Sequence, residues 1–367
     1  MQPTEDRAPF SIERVPLDGA TRDALEPLGL PADVLDGWAR FEEPLIRTVL
    51  VARTGSALAG AVITVGRPLA HYLKIGGSWT SDRAVDGRLG RDGLASALVA
   101  AAEQFAWDSG FLVVKREGTV GPAPGYVTVE APEIAGPIPD PGPVVPVGHF
   151  KWRTRRDQTT VPYMRQTTDF TCGPTALLML MAHYGIIERP DRATELDLWR
   201  QATTIEACDP YGLAVAASRR GLRPAIVIST DATLFLEDLK TEQERALKRF
   251  VQDNFRHLAG ETGLQTQLRA FQTAELADVV RAGGAAIVLV DETLVHGDRC
   301  PHWILVHGME GDCFLAHDPW TENSKGESWV DGYDVPLSAD ALDRIAWTGE
   351  PRYRAMLSFT GPAAPGG

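Results

Sequence analysis

The residues best suited to covalent chemistry lie mid-chain, in the run Gln166-Thr167-Thr168-Asp169-Phe170-Thr171-Cys172-Gly173-Pro174-Thr175-Ala176-Leu177. The apolar stretch 178–184 that follows predicts a helix beginning at Cys172. Thr171 or Asp169 caps it, Pro174 is tolerated in its first turn, and Gly185 ends it. A helix start points unpaired N–H groups at the Cys172 sulfur and favours the thiolate, the form of cysteine that attacks a carbonyl carbon. Six residues upstream, Gln166 is placed to offer its side-chain N–H to an oxyanion forming beside that sulfur, alongside the Cys172 backbone N–H.

A cysteine nucleophile needs a base and a group that orients the base. Pro301-His302-Trp303-Ile304-Leu305-Val306-His307-Gly308 reads as a buried strand led by His302, and Cys313-Phe314-Leu315-Ala316-His317-Asp318-Pro319-Trp320 reads as a second strand beyond the turn Glu310-Gly311-Asp312. A hairpin brings His302 and Asp318 to the same end. The two-residue strand period turns His307 away from His302 and His317 away from Asp318, so both read as structural. His183 reads as a core histidine, Cys208 and Cys313 as small buried hydrophobes, and His296 and Asp298 as part of a loop. Cys300, His302, His307, Cys313 and His317 contain no paired short spacing of the zinc type, so no metal is expected.

Other elements surround this site. In the first third, 48–53 and 58–65 flank the turn Thr54-Gly55-Ser56 as a β-hairpin, followed by a strand at 71–76. Gly90-Arg91-Asp92-Gly93 opens an alanine-rich helix over 94–109, and 111–115 is a buried strand. Between 121 and 146, eight prolines remove backbone donors and fix φ, which predicts an extended connector, with Tyr126-Val127-Thr128-Val129-Glu130 alternating as a short edge strand. The domains expected are 1–120, a connector over 121–150, and 151–367, in an α+β chain.

The order of strand, glycine-rich turn, helix and strand resembles part of the acyl-CoA-binding half of GNAT-type N-acetyltransferases. In that family, backbone N–H groups at the helix start hold the cofactor pyrophosphate. The resemblance assigns this contact to Gly93 and Ala95, since Gly93-Leu94-Ala95 matches the end of the family's loop. Gly90 stands where Gln or Arg is expected, and the proline run replaces the helix that carries a Tyr general acid, so little or no acetyl transfer is expected.

Gln166 with Asp169-Phe170-Thr171-Cys172-Gly173-Pro174, then His302-Trp303-Ile304-Leu305-Val306 and His317-Asp318-Pro319, resembles the bacteriocin-processing, double-glycine leader peptidase family. It is similar in particular to a standalone cytoplasmic branch, some members of which carry an N-terminal GNAT-type domain. Asp209-Pro210-Tyr211-Gly212-Leu213-Ala214-Val215-Ala216-Ala217 with Gly221-Leu222 resembles the family's second helix, and Leu234-Phe235-Leu236 with the charged helix over 242–255 resembles a segment of that branch. The likeness spans 161–359. It implies a papain-like domain in which Cys172 is the nucleophile, His302 the general base and later acid, Asp318 the orienting carboxylate and Gln166 the oxyanion donor.

The 367 residues are 44% hydrophobic and 23% charged, which excludes collagen, coiled coil and bulk disorder. A formal charge of −13 repels phosphate backbones and anionic lipid, so neither nucleic acid nor membrane is an expected partner. Four widely spaced cysteines, no basic-then-apolar N-terminal segment and no long apolar run predict a cytoplasmic protein. Three functions fit. The first is a peptidase cutting a leader-type peptide after a small residue through a Cys172 thioester. The second is an acyltransferase or amide synthase passing an acyl group from a carrier-protein or CoA thioester to an amine. The third is a catalytically idle peptide-binding protein. The expected partner is a peptide or an acyl carrier protein; no cofactor is required, with acetyl-CoA or an acyl thioester as the ligand the first domain would accept.

Overall fold

A computed structural model describes residues 10–82, 90–118, 124–132, 144–154, 161–237 and 239–360. The chain divides into two units, the first comprising Met1–Glu130, Val145–Arg156 and Glu322–Asp331, the second Ala131–Val144, Asp157–Thr321 and Gly332–Gly367.

In the first unit, runs of β-branched residues separated by Gly-containing turns give a seven-stranded sheet. Its elements are β1 (Ser11–Leu17), α1 (Thr21–Leu25), α2 (Ala32–Trp38), β2 (Ile46–Thr54), β3 (Ala57–Gly66), β4 (Tyr72–Thr80), α3 (Gly90–Asp108), β5 (Val113–Gly118), β6 (Val127–Glu130) and β7 (Val147–Trp152). The strand order is β1-β2-β3-β4-β5-β7-β6. Only β4 and β5 pair in parallel, with α3 between them in sequence. Leu94, Leu98, Ala102 and Ala106 recur every four residues along α3 and pack on Val62, Leu73 and Val114. The hairpin β2–β3 and the edge strand β6 stand where the sequence predicts them. The helix starts four residues early, at Gly90. The proline run is not a connector throughout: β7 inserts between β5 and β6, so the first unit extends past residue 120. Most of the run, 119–123 and 133–143, lies outside the described residues, as does the N-terminal stretch 1–9.

The segment Glu322–Asp331 joins this unit through buried charge, which must be paired to be tolerated. Arg67 donates to both carboxylate oxygens of Glu327 at 2.7 and 2.8 Å. Lys74 Nζ lies 2.5 Å from Asp331 Oδ2 and 2.7 Å from Glu117 Oε1, and Lys115 Nζ donates to the Val330 carbonyl at 3.0 Å.

The second unit contains α4 (Cys172–His183), α5 (Arg192–Ala202), α6 (Pro210–Arg219), β8 (Ala225–Ile228), α7 (Glu242–Glu261), β9 (Thr266–Leu268), α8 (Thr273–Arg281), β10 (Ala285–Asp291), α9 (Thr293–His296), β11 (Pro301–Glu310) and β12 (Cys313–His317). After α10 (Trp329–Gly332) come β13 (Val335–Ser338), α11 (Ala339–Ile345) and β14 (Ala355–Phe359). The sheet runs β13-β12-β11-β10-β14-β8-β9, antiparallel except for β8–β9. Every α4 residue from Cys172 to Met181 is buried, the pattern of a central helix that is apolar all round. Gly173 permits its close approach to the sheet: a Cβ there would sit 3.0 Å from Trp303 Cδ1 and 3.2 Å from Leu213 Cδ2. The result is an α+β unit with a helix start held against β11. Among the described residues, no helix is long and apolar enough to cross a membrane.

Candidate active site

Cys172 is the first residue of α4, as its sequence setting predicts, and is buried with its thiol free. The cap differs from expectation. Neither Thr171 nor Asp169 makes a side-chain cap; instead Thr171 Oγ1 donates to Glu195 Oε1 at 2.5 Å. Glu195, on α5 and fully buried, also accepts Thr167 N–H at 2.8 Å, Thr167 Oγ1 at 2.5 Å and Thr175 Oγ1 at 3.0 Å. One carboxylate therefore fixes the segment on both sides of the nucleophile. Sequence reasoning missed Glu195; the available signal was three threonines at 167, 171 and 175, whose hydroxyls need an acceptor once buried.

Gln166 is buried with its backbone N–H on the Pro319 carbonyl at 2.9 Å, which ties the loop before Cys172 to the residue after Asp318. Its Nε2 donates one proton to the Thr168 carbonyl at 2.8 Å, so the second remains for an oxyanion. Its Oε1 is buried without a partner among the described residues.

His302 is the second residue of β11 and Asp318 follows β12, at the shared end of the hairpin. His302 Nε2 and Asp318 Oδ1 are 2.7 Å apart, and the same oxygen accepts Trp320 N–H at 2.9 Å. Tyr163 donates to the Asp318 carbonyl at 2.8 Å, and Gly332 accepts the Asp318 N–H at 2.9 Å. Gly332 leaves no space for a Cβ between that carbonyl and the Tyr163 hydroxyl. The other ring nitrogen, Nδ1, lies 3.4 Å from Glu292 Oε1. Burial alone would lower the His302 pKa, but the Glu292 and Asp318 carboxylates and the Asp318 hydrogen bond outweigh it and hold the ring well above the usual histidine range. Glu292 was not foreseen. His296, expected in a loop, is buried in α9 with Nε2 3.8 Å from Asp318 Oδ2 and 3.9 Å from Glu292 Oε1.

The structure thus gathers Cys172, His302 and Asp318, and ties Gln166 beside them through Pro319. Glu292, His302 and Asp318 also present ligand atoms within 4.8 Å of one another, although His302 Nε2 is engaged by Asp318. Cys208 lies beneath the site, where its carbonyl accepts Trp303 Nε1 at 3.1 Å and burial pushes its thiol well up. Asp209 caps α6 through Tyr211 and Gly212 N–H. Gly93 and Ala95 belong to the first unit. Both lie in the first two turns of α3. A cleft of about 470 Å³ lined by Ser218, Arg223, Thr262, Gln265 and Ser358 includes none of these residues.

The sequence profile of the Peptidase_C39 like family matches residues 161–360. No curated protein matches the chain. Among solved structures, it is similar to the peptidase domain of Streptococcus ComA, a bi-functional ABC transporter involved in quorum sensing, with 17% identity, 54% of this chain and 98% of that one covered, and a TM-score of 0.29. A protein described as a C39-like peptidase from Bacillus anthracis matches with 12% identity over 56% of this chain and 96% of that one, TM-score 0.31. The ribosomal-protein-S18-alanine N-acetyltransferase from Escherichia coli matches with 11% identity over 41% of this chain and all of that one, TM-score 0.26.

Proposed function

Because the chain belongs to the Peptidase_C39 like family, we propose that it is a cysteine-dependent acyl-transfer enzyme that cleaves a leader-type peptide bond after a small residue. The observation that carries this reading is the His302–Asp318 pair, joined through Nε2 at 2.7 Å on the strand whose Trp303 packs against Gly173, the residue after Cys172. In the reaction, His302 takes the Cys172 proton and the thiolate attacks the scissile carbonyl. The Cys172 N–H and the second Nε2 proton of Gln166 meet the oxyanion. His302 then gives its proton to the departing amine as the C–N bond breaks, leaving a thioester on Cys172. Water, deprotonated by His302, attacks the thioester; the acid leaves and the thiolate is reprotonated. Asp318 acts through His302, fixing its ring and supporting its charged form.

The test is intact-mass analysis of the full chain after acid quench, with double-glycine leader peptides and with acyl-CoA thioesters as donors. Wild type is expected to gain an acyl mass and release the C-terminal peptide, and Cys172→Ala to do neither. Product containing an added amine in place of water would assign the chain to amide synthesis. An adduct that survives Cys172→Ala, or none with any donor, refutes the reading.

A further inference from the structure

Beyond the catalytic hairpin end, three buried groups converge without a role in acyl transfer. His307 occupies a bulge in β11, between the pairs Val306–Ala316 and Gly308–Leu315. The extra residue breaks the strand alternation and re-aims its side chain. His317 ends β12, fully buried, and Asp334 precedes β13 with φ of +44°, a left-handed conformation that aspartate tolerates better than most residues.

The three ligand atoms form a small triangle. His307 Nε2 is 3.3 Å from His317 Nδ1 and 3.2 Å from Asp334 Oδ1, and His317 Nδ1 is 3.7 Å from the same oxygen. A tetrahedral ion with bonds of about 2.05 Å has ligand–ligand edges of about 3.3 Å. An octahedral ion with bonds of about 2.1 Å has cis edges of about 3.0 Å, shorter than all three. The His317 ring is set for coordination. Its Nε2 lies 3.0 Å from the Val161 carbonyl, which only accepts, so Nε2 carries the proton and Nδ1 is the acceptor nitrogen, its lone pair taking the Asp334 N–H at 3.1 Å. Metal-bound histidines are held in this way, through the far nitrogen.

We propose that His307, His317 and Asp334 bind one zinc ion, with water as the fourth ligand. Two imidazoles, one carboxylate and tetrahedral edges select zinc over the oxygen-loving divalent cations. The ion ties the bulge of β11, the end of β12 and the chain entering β13, directly behind Asp318, and so braces the strand that presents the orienting carboxylate. No paired zinc spacing marks these residues, because strand pairing and the bulge, not chain neighbours, assemble the site. The ion uses the lone pair on which Asp334 N–H donates to His317 Nδ1 at 3.1 Å, so it must displace that hydrogen bond, which otherwise holds the ring.

The experiment is metal analysis by mass spectrometry of the full chain, produced with added zinc and dialysed against a mild chelator. About one zinc per chain is expected in wild type, in Cys172→Ala and in His302→Ala. Less than a tenth of that is expected in His307→Ala and Asp334→Asn. Wild type loaded with cobalt should show the visible absorption of a four-coordinate ion. Wild type without stoichiometric zinc overturns the proposal, whatever the folding of the variants. So does zinc retained by folded His307→Ala, or lost with His302→Ala, which would move the ion to the Glu292–His302–Asp318 trio.

Discussion

Removal of Glu195 tests how the nucleophile is held. Its carboxylate accepts four hydrogen bonds, from Thr167 N–H and from the hydroxyls of Thr167, Thr171 and Thr175, in a fully buried setting. Hydrogen bonds to a charged group contribute about 1.5–3 kcal/mol each, but members of one network do not add. Removing one partner of a buried charged network costs about 3–5 kcal/mol, and we expect Glu195→Ala to lose about 4 kcal/mol, a large part of the ~5–15 kcal/mol of a typical domain. Glu195→Gln is milder. Its amide oxygen retains the three donors on Oε1, and its N–H₂ faces Thr167 Oγ1, which accepts as readily as it donates. Charge-assisted bonds are roughly twice as strong as neutral ones, so this variant should lose about 1–3 kcal/mol. Urea unfolding followed by tryptophan fluorescence gives the stabilities, and iodoacetamide labelling of the folded Gln variant, mapped to Cys172, reports on the loop. A Glu195→Ala protein within about 0.5 kcal/mol of wild type, labelled at the wild-type rate, would refute the scaffold role.

Two further outcomes concern charge. The Glu292 and Asp318 carboxylates outweigh burial and raise the His302 pKa, so Asp318→Asn or Glu292→Gln must lower it and move the alkaline limb of kcat/KM to lower pH; superimposable pH profiles would show that neither carboxylate supports the imidazolium. In stability, the same raised pKa contributes fully below about pH 6.5 and is lost as pH rises through the folded value. For Asp209 the charged form is the disfavoured one, and stability again falls as pH rises. Desolvation pushes its carboxyl up from 3.8 to about 6, against the N–H groups of Gly212 and Tyr211. Below 3.8 both states are neutral and nothing is gained; above 6 the buried charge costs about 3 kcal/mol. Asn retains the cap, so Asp209→Asn should be more stable than wild type at pH 7.5 by up to about 3 kcal/mol and equal to it near pH 3.5. Urea titrations at the two pH values check this, and a less stable variant at pH 7.5 would contradict it.

The sequence by itself determined those features that rest on local rules. Helix α4 begins at Cys172 because an apolar run starts there and Gly185, at φ +69°, ends it. The β11–β12 hairpin follows from alternating apolar residues about the Glu310-Gly311-Asp312 turn, and it carries His302 and Asp318 to one end. Only the tertiary structure decided which groups close around them. Glu195 reaches the Cys172 loop from another helix, and Glu292 reaches His302 from the end of β10, contacts that no periodicity encodes. The alternation rule also set His307 apart, until a one-residue bulge in β11 turned it onto His317 and Asp334. Strand β7 likewise escaped a reading dominated by prolines, because its partner β5 lies on the far side of the run and β6 within it. Secondary structure follows from neighbours in the chain, whereas a buried carboxylate or imidazole is placed by whichever distant donors need its lone pairs once water is gone.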